Sequence, residues 1–232
     1  MRSDLFARHV KRNAEILDLG CGYGRIMHEL SELGYSRLRG IDFSEGLIRR
    51  GRRLYPDLKL EVQQSRQIDF PDSSFDAVLL CAVLTCIPRD ADQEFLRDEI
   101  FRVLRPGGIL YVNDFLLNTD PRNRKRYEEA LPKYGTYGVF ELPEGAVLRH
   151  HAPEQVHQFF EPFERLEFEM TVYRTMNGHS SNGYCFLGRK SPSSACGKAK
   201  KNPPLPRENT FRRSTDELGR KRITIVQRTI IQ

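Results

Sequence analysis

Ile16-Leu17-Asp18-Leu19-Gly20-Cys21-Gly22-Tyr23-Gly24-Arg25 decides how this chain folds. The opening apolar run reads as a buried strand, and it breaks into three alternating glycines before a helical pattern begins. Glycine is needed where backbone turns sharply or approaches a ligand with no Cβ in the way. Between a strand and a helix, such a loop marks the carboxyl end of the first strand of an open α/β sheet, where nucleotide-type cofactors bind. The spacing is Gly-x-Gly-x-Gly with Arg at 25, not the Gly-x-Gly-x-x-Gly of the dinucleotide fingerprint. A nicotinamide enzyme is therefore disfavoured. Taken alone, the loop is also compatible with an ordinary strand-to-helix turn.

The following residues support the cofactor reading. Gly40-Ile41-Asp42-Phe43-Ser44 reads as a second strand ending in an acid, with Ser44 placed to cap the next helix. An acid there can accept both hydroxyls of a ribose, and Phe43 can pack on an adenine. A third strand, Leu58 to Val62, alternates apolar and polar residues, as a half-exposed edge strand does. Pro71-Asp72-Ser73-Ser74 is a turn, and the run from Phe75 through Val78-Leu79-Leu80 to Leu84 is continuously apolar apart from Asp76, which suits a central strand. A helix from about Asp90 to Leu104 then stops at Arg105-Pro106-Gly107-Gly108 before a fifth strand.

This set resembles the class I S-adenosylmethionine-dependent methyltransferases, in particular the group of ubiquinone and menaquinone biosynthesis methyltransferases. The resemblance rests on the Asp18-to-Gly24 loop, Gly40-Ile41-Asp42, Phe70-Pro71-Asp72-Ser73-Ser74-Phe75-Asp76 and Val103-Leu104-Arg105-Pro106-Gly107-Gly108, in family order and spacing. It implies an α/β fold, a Rossmann-like three-layer sandwich. The sheet would be seven-stranded and mostly parallel, of order 3-2-1-4-5-7-6, with strand 7 antiparallel. The alternating Leu58 to Val62 and Leu166 to Val172 would then occupy opposite edges. The cofactor implied is S-adenosyl-L-methionine. By the same resemblance Asp18, with the backbone at Gly20, Cys21 and Gly22, holds its methionine half, and Gly24 permits close approach. Asp42 takes the ribose hydroxyls, Gln64 stands where the family often has an acid for the adenine amino group, Ser65 and Arg66 flank the adenine, and Cys81 and Ala82 lie under the cofactor.

Methyl transfer from a sulfonium needs positioning and, where the acceptor must lose a proton, a base. His150 and His151, just before a helix starting near Pro153, are candidates because histidine titrates in the useful range. Asp114, at the end of the fifth strand, and Tyr127 are others. A structural hydrogen-bonding role is the plainer reading for each histidine. The run Arg122-Asn123-Arg124-Lys125-Arg126, in a long insert from 116 to 152, can hold a carboxylate or phosphate on the acceptor or simply form a solvated face. Strand four lacks the Asn/Asp-Pro-Pro-Tyr/Phe motif of adenine methylation, and no Pro-Cys pair is placed to attack a pyrimidine. A small-molecule acceptor is expected.

The formal charge is +6, but ten Lys and Arg against three acids fall between 191 and 232, leaving 27 basic and 28 acidic residues in 1–190. Any attraction to nucleic acid therefore resides in the tail, and a nucleic-acid partner for the body is not expected. Residues 1–190 read as the methyltransferase domain and 191–232 as a basic, disorder-prone tail. About a dozen residues precede the first strand, and Asp4 to Val10 reads as one short helix. Five cysteines without Cys-x-x-Cys or histidine spacing point to reduced thiols and no metal site. With neither a secretory segment nor a membrane span in the sequence, the expected location is cytoplasmic. Two rival classes remain: a non-catalytic cofactor-binding regulator, and an RNA or protein methyltransferase docking through the tail.

Overall fold

The computed structural model describes residues 1–174 and 178–191, so residues 175–177 and the expected tail from 192 lie outside the described residues. The elements are α1 (Ser3–His9), β1 (Ile16–Leu19), α2 (Arg25–Glu32), β2 (Leu38–Asp42), α3 (Glu45–Leu54), β3 (Lys59–Val62), β4 (Phe75–Cys81), a 3-10 turn (Leu84–Cys86), α4 (Asp90–Val103), β5 (Leu104–Phe115), α5 (Pro121–Tyr134), β6 (Val139–Glu141), β7 (Val147–Arg149), α6 (Pro153–Phe159), β8 (Phe163–Arg174) and β9 (Ser180–Lys190).

Seven strands form one sheet in the order β3-β2-β1-β4-β5-β9-β8, and β6 and β7 form a separate hairpin. Discounting that hairpin, the order is the expected one. All neighbours from β3 to β5 pair in parallel, and β9 runs antiparallel to both β5 and β8. The two strands with alternating sequence are the edges. Continuous burial of Ala77, Val78, Leu79 and Leu80 follows from covering β4 on both faces.

One face of the sheet presents Leu17, Leu19, Val78, Leu80, Leu110 and Val112 to Leu96, Ile100 and Val103 of α4 and Val156 of α6. The other presents Ile16, Ala77, Leu79, Ile109 and Tyr111 to Leu5 and Phe6 of α1, Met27 and Leu30 of α2, and Ile48 of α3. Helix α1 also covers outward-facing acids of β8: Arg2 pairs with Glu169, and Arg8 and His9 lie 3.9 and 3.8 Å from Glu167. Ser44 caps α3 by accepting the Leu47 amide at 3.3 Å. No helix among the described residues is long and apolar enough to cross a membrane.

Candidate functional site

The glycine loop leaves β1 at the carboxyl edge of the sheet, and Gly20, Gly22 and Gly24 all adopt left-handed backbone with φ of 75°, 57° and 83°. A Cβ on Gly20 would lie 2.5 Å from the Val83 side chain, so both conformation and space demand glycine there. The loop's amides are occupied within the protein. Gly20 and Cys21 donate to the Ile41 carbonyl at 2.8 and 3.1 Å, Gly24 donates to Cys21 at 2.9 Å, and Gly22 donates to the Asp42 carboxylate at 2.8 Å. A phosphate cradle works through unengaged amides. With these amides engaged, the loop is not such a cradle.

Asp18 stands directly beneath it. The residue is 1% exposed, and neither carboxylate oxygen has a hydrogen-bond partner. Burial, with the neighbouring Asp42 charge, pushes its pKa up to about 7. An orphaned buried carboxylate is costly unless a cation or donor meets it. The residues therefore fit a ligand carrying positive charge and an amino group.

The remaining expected cofactor residues gather along the same edge. Asp42, buried at the end of β2, accepts Gly22 through one oxygen and the Ser44 amide at 2.8 Å through the other. Phe43 beside it is 64% exposed, available to pack on a flat ring. Gln64 is exposed after β3. The Ser65 hydroxyl donates to the Gln67 carbonyl at 2.8 Å, and Arg66 pairs with Asp92 of α4 while lying 5.0 Å over the Phe95 ring. Cys81 ends β4, its thiol raised by burial, and Ala82 adopts φ +57°, a strained conformation for a residue with a Cβ. The described cysteines, Cys21, Cys81, Cys86 and Cys185, form no disulfide, and no group of described residues could hold a metal ion.

The proton-handling candidates sit at the same edge but are enclosed. Asp114 is 1% exposed, its pKa pushed up to about 7 by burial, and it accepts the Phe115 amide at 2.7 Å and the Thr85 amide at 3.3 Å. It thereby anchors the 3-10 turn that follows β4. His150 stacks on Phe115 at 5.4 Å, and its Nδ1 lies 2.6 Å from the Tyr127 hydroxyl. Burial, with the nearby Arg126 charge, holds its pKa well below the usual histidine value.

His151 is likewise buried, its pKa lowered to about 3 by burial and by Arg149. Its Nε2 meets the Gln93 side chain at 2.9 to 3.1 Å. The Gln93 amide nitrogen already donates to the Leu84 and Ile87 carbonyls at 3.1 and 2.6 Å. Its oxygen must then accept, which places the imidazole proton on Nε2 and leaves Nδ1 a bare acceptor. Both histidines are thus neutral pieces of the insert's packing. Gln93 escaped the sequence reading, although a polar residue three before Leu96 and seven before Ile100 shares the apolar face of α4 and could have signalled it.

Residues 17–112 match the family model described as methyltransferase domain. The chain is 33% identical over 149 residues to the phosphatidylethanolamine N-methyltransferase of Cereibacter sphaeroides, covering 57% of this chain and 70% of that protein. It is 32% identical over 127 residues to the sterol 24-C-methyltransferase of Aspergillus fumigatus, covering 50% of this chain but only 33% of that protein. The chain thus spans about a third to a half of the length of the first curated relatives it matches. A solved S-adenosylmethionine-dependent methyltransferase from Methanosarcina mazei superposes with a TM-score of 0.75 at 28% identity, over 81% of this chain and 97% of that one. The loop chemistry separates the site from a pyrophosphate-binding one, the relatives agree in sequence and in fold, and the chain belongs to the class I S-adenosylmethionine-dependent methyltransferases.

Proposed function

We propose that this chain transfers a methyl group from S-adenosylmethionine to a small-molecule acceptor by in-line displacement. The observation that carries this reading is the orphaned Asp18 carboxylate beneath a glycine loop whose amides are already engaged. When bound, the cofactor supplies an electrophilic methyl group on a positively charged sulfur, so no nucleophile from the protein is required. The chain's own work is to bind, orient and exclude water, which can account for a large share of such a barrier.

In this reading Asp18 and the Gly20, Cys21 and Gly22 backbone receive the methionine end. Gly24 lets the loop approach, and Asp42 uses its remaining lone pairs for the ribose hydroxyls. Phe43, Gln64, Ser65 and Arg66 border the adenine, and Cys81 and Ala82 floor the site. Where the acceptor must lose a proton, Asp114 is better poised than His150 or His151, because its pKa of about 7 allows exchange near neutrality whereas the histidines stay neutral. The sterol and phospholipid named for the relatives support a small-molecule acceptor. A cytoplasmic location suits such an enzyme and belongs to the same proposal.

Calorimetric titration with S-adenosylhomocysteine, with NADH as control, tests the reading. Micromolar binding of the first and none of the second is expected, followed by transfer of a labelled methyl group to a member of an acceptor panel. Binding of NADH without S-adenosylhomocysteine would overturn it.

A further inference from the structure

The basic run at the start of α5 divides by helical spacing. Arg124 faces Glu128 at 3.8 Å and Lys125 faces Glu129 at 3.7 Å, both pairs exposed on the solvent side. Arg122 and Arg126, four residues apart and so on a common face, form no ion pair with any described residue. Arg126 lies 3.7 Å over the Phe140 ring, with its Nε buried and without an acceptor. A guanidinium drawn out of water beside an aromatic ring, with no carboxylate within ion-pair distance and only the more distant Asp120 charge to offset it, leaves positive potential partly uncompensated.

That potential borders a cavity of about 340 Å³ between the start of α5 and the beginning of β9. Asn118, Asp120 and Arg122 line one side, and His179, Ser180 and Asn182 the other. Most of these walls are already bonded to one another. Asn118 accepts the Asn182 amide at 2.7 Å and donates to Ser181 at 3.1 Å, and the Asn182 side chain donates to Leu117 at 3.0 Å. Asp120, the one acid in the lining, caps α5 with both oxygens, one accepting the Asn123 amide at 3.1 Å and the other its side chain. Against burial, the Asn123 hydrogen bonds and the Arg122 charge hold its carboxyl below the usual range, so it offsets Arg122 in part without forming an ion pair with it. The pairing of Phe115 with Gly183 sets the cavity beside the carboxyl end of β5, on the edge where Asp114 lies.

We propose that this cavity receives an anionic group of the methyl acceptor, a carboxylate or a phosphate, with Arg122 as its direct partner and Arg126 holding charge behind it. The inference rests on the methyltransferase reading above and names the class of acceptor. A planar guanidinium suits both oxyanions through paired N–H donors, and the volume falls in the range of small-ligand sites.

The test titrates the full chain with inorganic phosphate and, separately, with benzoate at constant ionic strength, following the arginine side-chain N–H signals by NMR. Arg122→Gln, Arg126→Gln and the solvent-face control Lys125→Gln are compared, and each is also titrated with S-adenosylhomocysteine. Saturable binding of one anion is expected, weakened roughly tenfold in Arg122→Gln, less in Arg126→Gln and not in Lys125→Gln, with S-adenosylhomocysteine affinity unchanged throughout. Preference for phosphate or for benzoate assigns the acceptor's group. Equal losses in Arg122→Gln and Lys125→Gln, or no saturable binding of either anion to a protein that binds S-adenosylhomocysteine, would overturn the site alone. Anion binding by a wild-type protein that does not bind S-adenosylhomocysteine would instead remove the methyltransferase reading, and with it the assignment to an acceptor.

Discussion

Asp42 accepts the Gly22 amide at 2.8 Å, so the acid that ends β2 also fixes the shape of the loop that leaves β1. The same carboxylate accepts Ser44 at 2.8 Å, which ties the start of α3 into the arrangement. One side chain thus shapes the site, and in the proposed reading it also takes the ribose hydroxyls. Asp42→Ala is expected to weaken S-adenosylhomocysteine binding at least about tenfold, since it removes the hydroxyl acceptor and the loop brace together. Calorimetry on a variant shown by its melting curve to be folded is the check, and unchanged affinity would remove the ribose assignment.

Gly20 is constrained twice, by a φ of 75° and by the Val83 side chain, 2.5 Å from where a Cβ would sit. Gly20→Ala should cost about 3 kcal/mol of stability through backbone strain and overpacking. Adding Val83→Ala should recover the steric part only, leaving the double variant still below wild type in a urea melt. Full recovery would show that the conformation, unlike the contact, costs nothing.

Asp18 sets a pH dependence with a definite sign. Its folded pKa is raised from 3.8 to about 7, first by burial and then by Asp42, so the ligand-free fold holds a proton that the unfolded chain has released. Asp114 is raised to about 7 in the same sense. The ligand-free protein should therefore lose stability as pH rises from about 4 to about 7 and level off above that. Binding of cationic S-adenosylmethionine favours the ionised carboxylate and expels the proton, so affinity should rise with pH up to about 7. Calorimetry in buffers of different ionisation enthalpy at pH 6 should detect proton release in wild type and much less of it in Asp18→Asn.

Tyr127 ties the insert together, its hydroxyl 2.6 Å from the ring nitrogen of His150, which in turn stacks on Phe115 of β5. Tyr127→Phe is expected to destabilise the protein by about 1 to 2 kcal/mol while leaving S-adenosylhomocysteine affinity unchanged. Denaturant melts alongside calorimetry would show it, and a loss of cofactor affinity would mean that the insert and the cofactor half are coupled.

Local signals made the cofactor half legible in the sequence. The glycines of 20 to 24, the acid at 42 and the cap at Ser44 are each read from a few adjacent residues, although Asp42 also acts on Gly22 across the loop, and the continuous run of β4 directly reports burial on both faces. The strands β6 and β7, three residues each, are too short for a period of two to register. β5 begins at Leu104, ahead of Pro106-Gly107-Gly108, because Leu104 pairs with Phe75 across a bulge that the loop-like composition conceals. The burial of His150 and His151 depends on an insert folding back onto residues far away in sequence. Adjacent histidines before a helix look the same whether they face water or a core.

The reversed direction of β9 has a consequence for how such a protein can change. Because β9 runs against its neighbours, its first residues stand level with the last residues of β5, and the connections on that flank lie away from β1 and β2. With the acceptor on that flank and the donor at the glycine loop, as proposed, insertions or substitutions in α5 or in β6 and β7 would reshape what is methylated and leave the donor side fixed. Selectivity is thereby mechanically separable from donor binding, a division that a designer could exploit by exchanging one flank of the sheet as a cassette.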